Sequence, residues 1–157
     1  MHNAFLALVA VGIWLVAAQI QKGPEPLNAE APAAQFSATR AMGVLARLQG
    51  PQRPHPAGSA ENAAVHARLR EELAALNLPV DALTTRGCYS EPRWGAVECA
   101  DIEDLIVEAV PGEGKAIVLM AHMDSVPAGP GAGDDGSGVA TVLEILRALK
   151  ADGAPAG

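Results

Sequence analysis

Apolar side chains change their spacing several times along this chain, and each change predicts a different element. Residues 4–20, AFLALVAVGIWLVAAQI, carry no formal charge, a run at the short end of what spans a bilayer. This run predicts either an uncleaved membrane anchor or a signal peptide cut after residues 16–18, VAA. Only the amino terminus and His2 precede it and Lys22 follows, so flanking charge gives no firm orientation. Residues 1–22 are therefore read as signal anchor or signal peptide. Residues 23–35 begin GPEPLNAEAPAA, a segment without apolar period that reads as an extended linker.

Helical spacing begins at residue 36. FSATRAMGVLARLQ offers Ser37 as an N-cap and Met42, Leu45 and Leu48 on one side. GSAENAAVHARLREELAALN repeats the scheme with Ser59 as cap and Val65, Leu69, Leu73 and Leu76 as the apolar face. The period then shortens. PVDALTT at 79–85, EDLIVEAV at 103–110 and KAIVLMAH at 115–122 read as strands. The last is continuously apolar, as a central strand covered on both faces would be, and PGEGK reads as a tight connection leading into it. A final helix has Val139, Val142, Leu143, Leu146 and Leu149 as its stripe, with Gly153 and Pro155 to stop it.

Composition narrows this outline to one core-bearing domain. Half of the 157 residues are apolar but only 3% are aromatic, so the core is built from aliphatic side chains and an α/β domain is expected. The net charge of −7 argues against nucleic acid, whose phosphates call for clustered Lys and Arg. Cys88 and Cys99, the only cysteines, flank YSEPRWGAVE. The bend expected at Pro92 and Gly95 returns one toward the other, and export to an oxidising compartment would let them pair.

Charge gathers where the third strand is expected to meet the last helix. In HMD, His122 and Asp124 are two apart and project to one side of a strand, so the carboxylate can accept a ring N–H and orient the imidazole. In GAGDDGSG, Asp134 and Asp135 adjoin in a glycine-rich turn, where a divalent cation would relieve their repulsion. Taken singly, each motif is equally at home as a helix cap, a solvated turn or a hydrogen-bonded strand end. Together, in the order strand, loop, helix, they point to a metal site where open α/β sheets place ligands. The loop lacks the Lys of a phosphate-binding loop, and its acids do not alternate as in a calcium-binding EF-hand.

At these residues the chain resembles peptidase family M28, the two-zinc aminopeptidase-like metallopeptidases, through His-x-Asp-Ser and Gly-Ala-x-Asp-Asp-x-Ser-Gly. RPHPAGSAEN at 53–62 is similar to a segment of membrane-anchored members, with His55 equally readable as a turn residue. The resemblance covers roughly residues 36–149. It implies that His122 ligates one of two zinc ions, that Asp124 serves catalysis by orienting His122, that Asp134 bridges both ions, and that Asp135 is a neighbour at the helix entry. It also implies an α/β/α sandwich with a mixed central sheet, of which residues 36–157 are the amino-terminal part. The implied activity is aminopeptidase-type hydrolysis of peptides by an extracytoplasmic, membrane-anchored or exported enzyme. A related family of zinc carboxypeptidases and deacylases also has His-x-Asp followed by Val-Pro, which HMDSVP partly resembles, but differs in its next motif.

The family's Glu-Glu pair, a further acid and a histidine are expected beyond ADGAPAG, so the chain reads as part of a larger hydrolase. Glu144 does not match that pair, and Glu71 and Glu72 read as a solvated helix face. The alternative is a non-catalytic, membrane-tethered metal-binding module. Oligomeric state is not specified by any of these features.

Overall fold

The computed structural model describes residues 2–93 and 95–153. It contains helices α1 (His2–Ile20), α2 (Ala38–Gln49), α3 (Ala60–Leu76) and α4 (Ser137–Ala151), and strands β1 (Asp81–Glu91) and β2 (Ala96–Ile106). The chain is thus mixed α and β, but its sheet has two antiparallel strands instead of the expected mixed central sheet.

α1 forms over the apolar run, and its described side chains point outward on all sides, Leu8 72% and Ile20 78% exposed. It packs against no other element among the described residues. No helix among the described residues is long and apolar enough to cross a membrane, so the expected span is not found there. At 19 residues α1 rises about 28 Å, at the short end of a hydrocarbon layer roughly 30 Å thick.

The core is a three-helix cluster. Ser37 caps α2 by accepting from the Arg40 amide at 3.2 Å, and Ser59 caps α3 by accepting from the Asn62 amide at 3.1 Å. On α2 the buried face is Ala41, Val44, Leu45 and Leu48. Met42, expected inside, is 62% exposed, because the 41/44/45/48 spacing follows one helical face more closely than 42/45/48 does. Val65, Leu69 and Leu73 of α3 and Val139, Leu143 and Leu146 of α4 complete the cluster, together with Met123. α4 ends at Ala151, followed by Gly153 at φ 83°; Pro155 lies outside the described residues.

The strands are longer than the expected 79–85 and 103–110, since β1 continues to Glu91, β2 begins at Ala96, and pairing runs from Asp81↔Ile106 to Glu91↔Ala96. Cys88 faces Cys99 in that register, and they form a disulfide at a Cα–Cα distance of 4.1 Å. Glu103 ties β2 to α3 by pairing with His66 at 3.1 Å and with Arg70.

The third expected strand does not form. Residues 115–122 have no strand pairing, and Ile117 and Met120 are 93% and 87% exposed. A strand exists only through a neighbour's N–H and C=O groups, and among the described residues neither edge of the β1–β2 hairpin is joined by this segment. Chain and core rejoin at Met123, 7% exposed.

The segment read as a linker is a belt held by arginines. Glu144, 1% exposed on α4, accepts from the Ser37 amide at 2.9 Å and pairs with Arg40 at 3.0 Å and Arg147 at 2.7 Å. Arg40 then donates to the carbonyls of Ala29, Ala31 and Gln35, and Arg147 to those of Ala33 and Gln35. Ser37 Oγ donates to the Asn28 carbonyl at 2.6 Å. Carbonyls that would face water in a free spacer are satisfied by cations that the buried carboxylate has already oriented.

Removing that carboxylate leaves two largely covered guanidinium groups facing each other. Glu144→Ala should cost about 3–5 kcal/mol in urea unfolding, with exposure of the belt to proteolysis; a loss under 1 kcal/mol would contradict the arrangement. Burial alone would raise the Glu144 pKa, but Arg147, the Ser37 amide and Arg40 outweigh it and hold the value below the ordinary glutamate range. The stabilisation is therefore complete above the unfolded-state pKa and lost as pH falls through the depressed folded value. Glu144→Gln should flatten that acid limb. For the hairpin, intact mass before and after reduction should differ by the two hydrogens of one disulfide, whose removal should cost somewhat under about 3 kcal/mol.

Candidate functional site

The acidic loop is shaped by what its glycines allow. Gly131 has φ 67°, and its carbonyl accepts from the Gly136 amide at 2.9 Å, closing a wide turn over Ala132–Gly136. Within it Asp134 (φ −141°, ψ 87°) and Asp135 (φ −127°, ψ 33°) leave helical geometry, and the peptide joining them is cis. The two carboxylates diverge. Asp135 turns inward and accepts from the Gly138 amide at 3.1 Å, capping α4, while the Asp134 side chain is 90% exposed.

Asp134 instead meets His122. The His122 Nε2 lies 3.1 Å from Asp134 Oδ1, and its Nδ1 lies 3.2 Å from both Asp124 Oδ1 and the Asp124 carbonyl. One imidazole thus bridges two carboxylates, one on each ring nitrogen. Partial desolvation lowers the His122 pKa, but the bond to Asp134 and the charge and bonds of Asp124 prevail, and the net shift is upward. These groups line an open cleft of about 390 Å³ with Ser125, Val126 and Gly131.

The three residues singled out from the sequence, His122, Asp124 and Asp134, are therefore neighbours, and Asp135 stands apart as a cap. Among the described residues no group of three or more His, Cys, Asp or Glu is arranged to hold a metal ion. No described glutamate lines the cleft: Glu72 pairs with Arg47 at 2.5 Å and Glu144 with its two arginines. His55 is buried in its turn, with Nδ1 2.9 Å from the Arg53 carbonyl.

Sequence reasoning missed two contributors. Ser125 closes the His-x-Asp-Ser motif, yet only its 5% exposure and its contacts across the fold show that it faces inward. Gln49 is 3% exposed, and among the described residues neither amide atom has a hydrogen-bond partner; its nitrogen occupies the space a side chain at Gly136 would need. Its place at the end of α2 gives no hint of that contact.

Comparison with known proteins places these features in context. Residues 104–156 match the family model described as Peptidase family M28. The chain is 35% identical over 96 residues to a vacuolar membrane protease of Candida albicans (strain WO-1), covering 60% of this chain and 11% of that protein. It is 34% identical over 100 residues to one of Laccaria bicolor, covering 59% and 10%. It is 48% identical over 52 residues to leucine aminopeptidase 1 of Ajellomyces capsulatus (strain H88), covering 28% and 14%. The chain thus spans only about a tenth to a seventh of the length of these relatives. No solved structure matches it.

The divergent aspartates make a prediction. Asp135→Ala should destabilise the fold by about 0.5–2 kcal/mol through loss of the α4 cap. Thermal unfolding checks this, and an unchanged midpoint would show that the contact to the Gly138 amide does not support α4.

Proposed function

Taking as premise that residues 104–156 belong to peptidase family M28, we propose that this chain supplies the first part of the metal site of a zinc-dependent, aminopeptidase-type exopeptidase. His122 and Asp134 hold zinc, and Asp124 orients His122. The single observation that carries this reading is the 3.1 Å approach of His122 Nε2 to Asp134 Oδ1. Two ligands of one tetrahedral zinc, each about 2.0–2.2 Å from the ion, stand roughly 3.3–3.5 Å apart, so this donor pair fits with little movement. The second carboxylate supports it, since Asp124 at Nδ1 keeps the proton there and leaves the Nε2 lone pair for the metal.

When bound, zinc supplies Lewis acidity and a water of lowered pKa. The chain's own residues do the rest of the local work. Asp134, outward and exposed, would hold zinc together with His122 and is the carboxylate proposed to be shared when a second ion binds. Asp135 fixes the loop to α4, and the open cleft is where a peptide substrate would bind. In the complete enzyme we expect two ions per site and a glutamate from outside residues 1–157 as general base.

The membrane belongs to this proposal as well. Among the described residues α1 packs against no other element and exposes apolar side chains, a surface suited to lipid, and two of the similar proteins are named vacuolar membrane protease. The peptidase domain would then lie on the extracytoplasmic side, where the Cys88–Cys99 disulfide persists.

A non-catalytic metal-binding module is the second reading, favoured by the lack of a glutamate lining the cleft among the described residues. One experiment separates the two. Zinc affinity and hydrolysis of an aminoacyl anilide are measured for this chain, for a longer chain that includes a Glu-Glu pair, and for His122→Ala and Asp134→Ala in each. We expect weak zinc binding and no turnover by this chain, turnover by the longer one, and at least about tenfold weaker zinc binding in either variant. A longer chain that binds zinc tightly but hydrolyses nothing would favour the module. Unchanged affinity in Asp134→Ala would refute the metal site.

A further inference from the structure

Residues 115–121 reach His122 without any strand pairing, so something other than a sheet must hold the imidazole against Asp134. Behind the site, His55 and Ser125 are 1% and 5% exposed. They exchange hydrogen bonds across 70 residues: the His55 amide donates to Ser125 Oγ at 2.7 Å, and the Ser125 amide donates to the His55 carbonyl at 3.2 Å. The turn is itself braced by the His55 ring against the Arg53 carbonyl at 2.9 Å. The Ser125 hydroxyl in turn donates to the Val126 carbonyl at 3.1 Å.

Ser125 also touches the other half of the site. A Cβ built on Gly131 would stand 2.8 Å from Ser125 Cβ and 3.0 Å from the Asp134 carbonyl, so the loop carrying Asp134 lies directly on this serine. The same glycine accepts from the Gly136 amide to close that loop. One small side chain thus contacts the buried turn at His55 and the glycine that opens the aspartate loop, and it stands three residues after His122. Met123 anchors the same segment to the core, but it has no bearing on the loop's hydrogen bonds.

We propose that Ser125, latched to the backbone of His55, is a positioning residue that sets His122 and Asp134 at ligand spacing. The proposal rests on the reading of those two residues as zinc ligands. Ser125 acts through Gly131 on one side and through the 122–125 segment on the other, and the 53–58 turn is its fixed support. Loss of the hydroxyl would leave the buried His55 amide without its acceptor and free the segment from that support.

Amide hydrogen exchange and zinc titration of the whole chain test this, with the zinc-induced ¹⁵N shift of the His122 ring as the spectroscopic readout. Ser125→Ala should speed exchange of the His55 amide, and through Gly131 that of Gly136, by up to about tenfold, the worth of one hydrogen bond. It should weaken zinc binding about 10- to 100-fold, as loss of an outer-shell support does, with helical circular dichroism at the wild-type value. Faster exchange confined to His55, with Gly136 and zinc affinity unchanged, would overturn the proposal. Faster exchange that reaches Gly136 in a chain that shows no zinc-induced shift, even as wild type, would sink the zinc reading and leave the latch standing. Should Ser125→Ala fail to fold, wild-type exchange still decides. His55, Ser125 and Gly136 should share one opening free energy, and an independently exchanging Gly136 would overturn the latch.

Discussion

A single buried carboxylate organises this chain. Glu144 lies inside the helical cluster at 1% exposure, where an unpaired charge would be prohibitive. Two guanidinium groups and the Ser37 amide compensate it, and their remaining N–H groups collect the belt at residues 29–35. The charge thus fixes α4 against α2 and draws the preceding segment around both. The loop that carries Asp134 leads directly into α4, so this end of the candidate site joins the helix that Glu144 holds.

The site itself is a second arrangement of charges in a more exposed setting. Asp135 is committed to the α4 amide of Gly138, which leaves Asp134 alone to face the cleft. His122 then lies between Asp134 and Asp124, and these carboxylates raise its pKa against partial desolvation. The proximity of two acids is tolerable because they perform different tasks: one completes a helix end, the other meets an imidazole. The buried Gln49 amide beside Gly136 and the Ser125 contact with Gly131 bound the same loop from two sides, so its conformation is set as much by neighbours as by its glycines.

Much of the helical framework was legible in the sequence because caps and periodicity are local. Ser37 and Ser59 cap the helices they were expected to cap, and Val65, Leu69 and Leu73 lie inside. The candidate site was legible for the same reason: His122, Asp124 and Asp134 lie within thirteen residues of one another, and a short loop brings them together. The strands were harder. Residues 115–122 have the composition of a central strand, but a strand is completed by partners far away in the sequence, and the only described pairing joins β1 to β2. The span expected at the amino terminus turned on length, a quantity the apolar run met only narrowly.

By itself, then, the sequence determined the local chemistry: helix caps, the turn at the glycines, the disulfide-competent cysteines and the proximity of one histidine to two aspartates. Those features depend on covalent spacing and backbone angles, which act over a few residues. Only the tertiary structure decided that Glu144 gathers Arg40 and Arg147, that residues 29–35 form a belt, and that His55 meets Ser125. The Glu144–Arg147 pair is a local i,i+3 contact, but Arg40 meets Glu144, Arg147 meets the belt and His55 meets Ser125 across 70 to 114 residues, and no periodicity encodes such a meeting. It arises because a buried charge or amide must find a partner wherever the packed chain has placed one.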